Sequence, residues 1–506
     1  MSTPHAIEVN PADEFNRKLV ENAHPPDWIN PKPKGRYNLV VVGAGTAGLV
    51  SAAGAAILGA RVALIERHLM GGDCLAYGCV PSKALIRAAR AAYAVSEAKD
   101  FGLAASPPQI EFAEVMRRVR RVRAEIAPHD SARRFAGLGV DVFLGNGHFT
   151  GKRSVEVDGE RLDFSKAIIA TGARPAVPPI PGLAEAGYLT NEAVFSLTTL
   201  PRRVVVIGGG PIGCELAQAL ARLGSQVSLV SDMPALLPRE DPDAAALLEQ
   251  QFRREGIELV LGATVERAEK SAVGKILIID RGQGKQTMVG DEILLATGRT
   301  PNVEGLNLEA AGVKYGDKGV TVDDHLRTSN SNIFSAGDIS SRFQFTHAAE
   351  ALGRIALQNA LFFGRKKVSD LVIPWCTYTD PEIAHVGLYE KDAREAGIEL
   401  ETFTLPFADN DRGVVDGDTA GFARVHVGKK DRKLLGATLV CRHAGESIGE
   451  LVMAIQRKMK IGELGGIIHP YPTQAEIIKR LGDASMRGRL KPWMKQVLVK
   501  LFQWRR

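Results

Sequence analysis

The chain has 506 residues, too many for one compact core, so two to four domains are expected. Five cysteines in so long a chain exclude a disulfide scaffold, and a low, odd count fits a reducing, cytoplasmic setting in which paired cysteines are more often catalytic. The net charge of +6 does not describe a nucleic-acid surface, because residues 486–506 hold seven basic and no acidic side chains and the rest of the chain carries 57 basic against 58 acidic.

Residues 1–36 are polar and punctuated by proline, and read as an ordered arm or a loose tail with no secretory signal. From Tyr37 the pattern becomes strand, glycine turn, helix, strand (NLVVV, GAGTAG, LVSAAGAAILGA, RVALIE), which is a βαβ unit. The uncharged stretch from Leu39 to Ala60 is long enough for a membrane span, but five glycines divide it into a β-branched run, a turn and an alanine-rich helix. A second βαβ unit begins at Arg203 (VVVIGGGPIG, CELAQALARLG, SQVSLV). Two such units 165 residues apart say more than either alone. Each is followed by a similar β-rich ending, AIIATGARP at 167–175 and EILLATGRTP at 292–301. After about residue 372 the style changes to an α+β segment, with strands expected around Ala423–His426 and Leu435–Val440 and a helix at about 446–459. The fold class expected is therefore α/β, two Rossmann-like nucleotide-binding domains followed by an α+β domain.

Three motifs carry chemistry. Gly43-x-Gly45-x-x-Gly48 follows a strand and opens a helix, so its backbone can approach a pyrophosphate held at the helix N-terminus. Glu66 ends the next strand, where a carboxylate meets a ribose diol. Gly208-x-Gly210-x-x-Gly213 repeats the arrangement with Ser231 at the strand end. Ser231 lacks the acid usual for NAD, Asp232 opposes a 2′-phosphate, and Arg239 is close enough in sequence to reach one, so the coenzyme reads as NADH or NADPH. The third motif runs Gly71-Gly72-Asp73-Cys74, then Leu75-Ala76-Tyr77-Gly78, then Cys79-Val80-Pro81-Ser82-Lys83. Two cysteines five apart on a regular helix point about 140° away from each other, too far for a bridge. A disulfide needs Cys74 outside the helix, and Gly78 with Pro81 suits a helix starting near Cys79. No other Cys or His cluster has metal-ligand spacing, so no metal site is expected, and Cys214, Cys376 and Cys441 read as core residues.

Over residues 37–485 the order of these motifs resembles the class I pyridine nucleotide–disulfide oxidoreductases, the FAD-dependent family of dihydrolipoyl dehydrogenase, glutathione reductase and mercuric reductase. A late segment, Thr328 to Asp338 (TSNSNIFSAGD), resembles the family's second FAD motif. The resemblance implies a split FAD domain (37–196 and 324–371), an inserted NAD(P) domain (197–323) and a dimerisation domain (372–485), hence a homodimer. It implies that Cys74 is the interchange thiol and Cys79 the charge-transfer thiol, that Lys83 and Glu215 pair near the flavin, and that a disulfide of Cys74 and Cys79 relays two electrons from NAD(P)H and FAD to the acceptor. Gly72, Gly147, Gly172, Gly337, Asp338 and Thr346, with Lys83, join the first fingerprint and Glu66 as implied FAD-site residues. Ser231 and Gly298 join the second as implied coenzyme-site residues.

The chain departs from that family at one instructive place. Disulfide-exchanging members carry His immediately before Pro-Thr, and Glu five residues after the His. Here the segment is His469-Pro470-Tyr471-Pro472-Thr473-Gln474-Ala475-Glu476, so Glu476 is in register and Tyr471 stands where the base belongs. A phenol of pKa about 10 is a poor base at neutral pH. His469 is two residues early, which favours a packing or turn role over a substitute base. Mercuric reductases resemble the chain here, and a soft metal ion binds thiolates without such a base. They also carry a C-terminal vicinal cysteine pair, and residues 486–506 have no cysteine. The expected function is thus electron transfer from NAD(P)H through FAD to a soft-metal or disulfide acceptor, with Tyr471 and Glu476 of the partner subunit lining the site. The alternatives are dihydrolipoyl dehydrogenase and a slow flavin redox sensor docked at a membrane.

In the basic tail, Leu490, Trp493, Met494, Val497, Leu498, Leu501 and Phe502 follow helical spacing with Pro492 near the start. This suits an amphipathic helix on an anionic membrane surface, on the inner face of the membrane, and equally a helix packed on its own dimer.

Overall fold

A computed structural model describes residues 7–104, 106–282, 284–488 and 492–506. They form two units, one made of residues 1–234 with 255–371 and the other of 235–254 with 372–506.

The first unit holds both nucleotide-type sheets. Five of the six residues of Tyr37–Val42 are buried, as a strand covered on both faces requires. It pairs in parallel with Val62–Glu66 on one side and Glu160–Ile169 on the other. Val140–Leu144 extends the sheet beyond Val62–Glu66, and the late strand Ile333–Ser335 lies beside Glu160–Ile169. The second sheet repeats the order: Arg203–Ile207 lies between Gln226–Ser231 and Glu292–Leu295, with Glu258–Leu261 outermost. The two β-rich endings meet, since Ala173–Pro175 and Arg299–Pro301 pair antiparallel with Arg299 opposite Pro175.

The amino-terminal arm is ordered. Helix Glu14–Ala23 is capped by Asp13, whose side chain accepts from the Asn16 backbone N–H, and buries Asn16, Leu19 and Ala23. Beyond it Trp28 Nε1 donates to the Val142 carbonyl at 3.1 Å, and Asn30 exchanges hydrogen bonds with Leu144 at 2.7 and 2.9 Å. These bonds satisfy the outer edge of the first sheet.

The second unit is a five-stranded antiparallel sheet whose central strand, Leu434–Cys441, lies between Glu382–Gly387 and Phe422–Gly428. Its core draws on Val425, Ala437 and Leu439 of the sheet, Leu451 of helix Ala444–Gln456, and Ile478 and Leu481 of helix Glu476–Arg487. The strands are each longer than the sequence pattern suggests, and the expected helix at 446–459 begins two residues and ends three residues earlier. Residues 235–254, expected within 197–323, group with this unit through ionic and polar contacts. Arg424 reaches Asp241 at 2.9 Å and Asp243, while the buried Glu240 accepts from Trp375 Nε1 at 2.7 Å and from the Tyr389 hydroxyl. No helix among the described residues is long and apolar enough to cross a membrane.

Candidate active site

Several of the expected residues, among them Gly43, Gly45, Gly48, Glu66, Gly72 and Gly337, gather around the turn that opens helix Thr46–Ile57. Gly43 has φ +103°, and a Cβ on it would strike the Ala170 carbonyl; a Cβ on Gly48 would strike the Gly43 carbonyl. These two glycines are thus needed by the protein's own backbone. Gly45 differs: it begins helix Thr46–Ile57 in an extended conformation, and the nearest atom to a Cβ there is the Gly72 Cα at 3.9 Å. That open cradle at a helix N-terminus, where unpaired N–H groups gather, fits a pyrophosphate. Gly72 has φ +60°, and its own added Cβ would fall 2.8 Å from the Gly45 Cα, so the phosphate loop and the cysteine motif lie backbone to backbone. Glu66 is held by the Ala44 N–H at 2.6 Å and the His68 N–H at 2.8 Å. Burial pushes its carboxyl up, opposed by those two hydrogen bonds. Gly337 packs near Ala47, bringing the late motif to the same helix start, and Gly172 has φ +67° with open space around it. Gly147 has a simpler reason to be glycine, because a Cβ there would lie 2.9 Å from Ile65.

The cysteine motif breaks into two helices. Cys74 lies in the short helix Gly72–Ala76, and a second helix, Cys79–Glu97, begins at the other cysteine. Gly78, with φ −116° and ψ −116°, makes the break. The kink lets the two thiols meet and hydrogen-bond, which a single helix would prevent. Cys79 also touches the Thr346 hydroxyl at 3.2 Å. The hydrogen bond from Cys74, assisted by Thr346 and the Lys83 charge, pulls Cys79 well below the ordinary thiol range despite its loss of water; the Cys74 thiol moves in the opposite direction. The pair is therefore poised with the charge on Cys79.

One helical turn after Cys79, Lys83 Nζ lies 2.8 Å from Glu215 Oε2. Glu215 is buried, and its helix, Pro211–Arg222, packs on Cys79–Glu97. Near the far end of the same contact Arg222 stacks over Tyr93 at 3.8 Å and pairs with Glu255 at 2.7 Å in a fully buried ion pair. That second pair pins the helix carrying Glu215, and so the register of the first.

Several residues of this site carried no sequence signal. Arg299 lies between Asp73 at 3.3 Å and Asp338 at 3.5 Å, and donates to the Ala173 carbonyl at 2.7 Å. Asn191 holds the other Asp73 oxygen and the Tyr77 carbonyl, both at 3.1 Å. Burial pushes the Asp338 carboxyl up to about 6, against the pull of Arg299. Arg123, buried, donates to the Ala76 carbonyl at 2.7 Å and to Asn16 at 2.8 Å, linking the arm to the Cys74 helix. Asp73 and Arg299 stand inside motifs that were read, but their pairing spans more than two hundred residues.

The second fingerprint has the same shape. Gly208, φ +117°, backs onto the Ala296 carbonyl; Gly213 backs onto Gly208; Gly210 opens its helix with nothing within 4 Å of a Cβ. Gly298, φ +113°, is likewise in open space. Ser231 is buried and its hydroxyl accepts from the Met233 N–H at 3.2 Å.

The remaining expected residues lie in the second unit. Tyr471 is 72% exposed and its hydroxyl donates to Asp411 at 3.0 Å, which moves the phenol up from its ordinary range. Its hydrogen-bond partner is thus Asp411, not Glu476, which begins helix Glu476–Arg487. His469 is turned inward, with Nε2 2.9 Å from Glu450 and Nδ1 near the Ile467 carbonyl, as a packing role requires.

The sequence pattern described as pyridine nucleotide-disulphide oxidoreductase matches residues 37–353, and its dimerisation domain matches 373–481. Mercuric reductase from Bacillus cereus is 36% identical over 88% of this chain and 70% of its own length. Dihydrolipoyl dehydrogenase from Thermus scotoductus is 34% identical over 88% of this chain and 97% of its own. Among solved structures, the Cu(II) complex of the HOCl-induced flavoprotein disulfide reductase RclA from Escherichia coli superposes with a TM-score of 0.78 at 29% identity, over 87% of this chain and 98% of that one. Members of this group use FAD and NAD(P)H, and the two open glycine cradles fit both nucleotides. The chain belongs to the pyridine nucleotide-disulphide oxidoreductase family, with its FAD- and NAD-binding domains and its dimerisation domain.

Proposed function

We propose that this flavoprotein oxidoreductase works as a cytoplasmic homodimer that reduces a soft metal ion, in the manner of mercuric reductases: NAD(P)H and Hg(II) give NAD(P)+, a proton and Hg(0). Bound FAD supplies a two-electron carrier between coenzyme and cysteines. Gly43, Gly45, Gly48, Glu66, Gly72, Gly172, Gly337, Asp338 and Thr346 would hold it, and Gly208, Gly210, Gly213, Ser231 and Gly298 would hold NADH or NADPH. The Lys83–Glu215 pair fixes a positive charge one turn from Cys79. Cys79 keeps the thiolate, and Cys74, the half-buried member, meets the acceptor.

The observation that carries the acceptor is Tyr471. It gives its proton to a hydrogen bond with Asp411, so it holds no base to take a proton from a dithiol at neutral pH. His469 is occupied by Glu450 and offers no substitute. A thiolate-seeking cation needs no such base. The mercuric-reductase likeness and the Cu(II) complex of RclA support the same class. The comparable likeness to a dihydrolipoyl dehydrogenase keeps a second reading, in which lipoamide is the acceptor.

The test is steady-state oxidation of NADH and of NADPH, with Hg(II) plus excess thiol in one series and lipoamide or glutathione disulfide in the other. Hg(II)-dependent turnover that disappears in Cys74→Ser supports metal reduction. Turnover with disulfides alone overturns it.

A further inference from the structure

Helix Pro492–Trp504 buries none of its residues, in contrast to helix Glu476–Arg487 just before it, which buries five. It lies outside the segment that matches the dimerisation domain, which ends at residue 481. Projected at 100° per residue, Trp493, Met494, Val497, Leu498, Leu501 and Trp504 fall on one half of the helix with Phe502 at its border, while Lys495, Gln496, Lys500 and Gln503 fall on the other together with Val499. Trp493 is 60% exposed, Phe502 56% and Trp504 82%. So much exposed apolar surface on one short helix marks a contact with something.

The charge says with what. Residues 486–506 hold seven basic and no acidic side chains, on a chain that is otherwise neutral. A second copy of this helix would meet it with like charge, and a neutral protein groove would leave the charge unanswered. An anionic lipid surface answers both halves, because apolar side chains enter the acyl boundary while lysines and arginines stay among the headgroups and tryptophans settle at the interface. We infer that residues 487–506 dock the enzyme on an anionic membrane surface, with the helix lying in the plane of the interface. At 1.5 Å per residue its 13 residues extend about 20 Å, enough to lie on a bilayer and too short to cross one. The inference is independent of the acceptor.

The test is co-sedimentation of the full-length holoenzyme with vesicles of phosphatidylcholine containing about one-third phosphatidylglycerol, against pure phosphatidylcholine vesicles, at low and high salt. The expected result is binding to the anionic vesicles alone, weakened by salt, with a blue shift of tryptophan fluorescence. Deletion of 487–506 should abolish it while NAD(P)H oxidation persists. The charge-reversed variant Lys495→Glu/Lys500→Glu, which keeps the apolar face, should weaken binding by roughly fivefold or more for each residue changed. Three results would each overturn the inference: full-length enzyme remaining in the supernatant, truncated enzyme binding as well as the intact one, or a truncation that turns the dimer into monomers without altering vesicle binding.

Discussion

The two glycine-rich units of this chain share a backbone and differ in what surrounds it. Gly45 opens its helix at φ −76°, ψ −175°, and Gly210 at φ −80°, ψ −179°. In both, the outer glycines back onto the protein's own carbonyls and the middle one faces open space. The first is crowded on its outer side by Gly72 and the cysteine motif, and its strand end carries a carboxylate locked by two backbone N–H groups. The second has no such neighbour, and its strand end carries a hydroxyl capping a turn. The lesson is that the glycines of one motif are not equivalent: the backbone itself demands the first and third, and it leaves the second open.

This division can be broken by substitution. Gly48→Ala and Gly213→Ala should both cost about 3 kcal/mol, because each Cβ meets backbone that cannot yield, and thermal unfolding would read the loss. A loss confined to one unit would show that the two backbones are not equivalent. At the strand ends the units should diverge. Glu66→Gln replaces an acceptor of two backbone N–H groups and should cost about 2 kcal/mol together with loss of flavin absorbance, while Ser231→Ala should cost about 1 kcal/mol and leave the flavin in place.

The next effect sharpens the role of the neighbouring cysteines. With the dithiol reduced, the thiolate of Cys79 is present above a pKa of about 6 and is lost as pH falls through it, so its alkylation rate should fall there. In Cys74→Ala the donor is gone while burial remains, so the midpoint should rise by at least about one pH unit, or about 1.4 kcal/mol. The smallest effect is on the middle glycines. Gly45→Ala and Gly210→Ala should change stability by less than about 0.5 kcal/mol, yet weaken flavin and coenzyme binding respectively by roughly tenfold or more. A stability loss equal to that of Gly48→Ala would end the distinction drawn between the glycines.

Much of this was legible in the sequence because it is local. A strand, a glycine turn and a helix lie within thirty residues, and Gly78 with Pro81 marked where the Cys79 helix begins. The ion pair of Lys83 with Glu215 was legible only through family likeness, since the two residues are 132 apart. Nothing local announced Arg299 between Asp73 and Asp338, Asp411 as the acceptor for Tyr471, or Arg123 beneath the Cys74 helix. Each is a polar side chain whose partner is fixed only when separate elements pack. The same holds for residues 235–254: only Arg424 and the Trp375–Tyr389 pair reveal what they pack on. Leu490, read as part of the tail helix, lies outside the described residues.

The strand Ile333–Ser335, which lies beside Glu160–Ile169 in the first sheet, also sets an order of assembly. During synthesis at about 5–20 residues per second, the ribosome needs roughly ten to thirty seconds to travel from residue 169 to 335. In that interval every strand of the second sheet, residues 203–295, has been made. The newborn chain therefore holds every strand of the second sheet while the first still lacks one neighbour. A nascent chain arrested so that residue 295 has cleared the ribosome and residue 333 has not should protect the second fingerprint from protease and leave the first open.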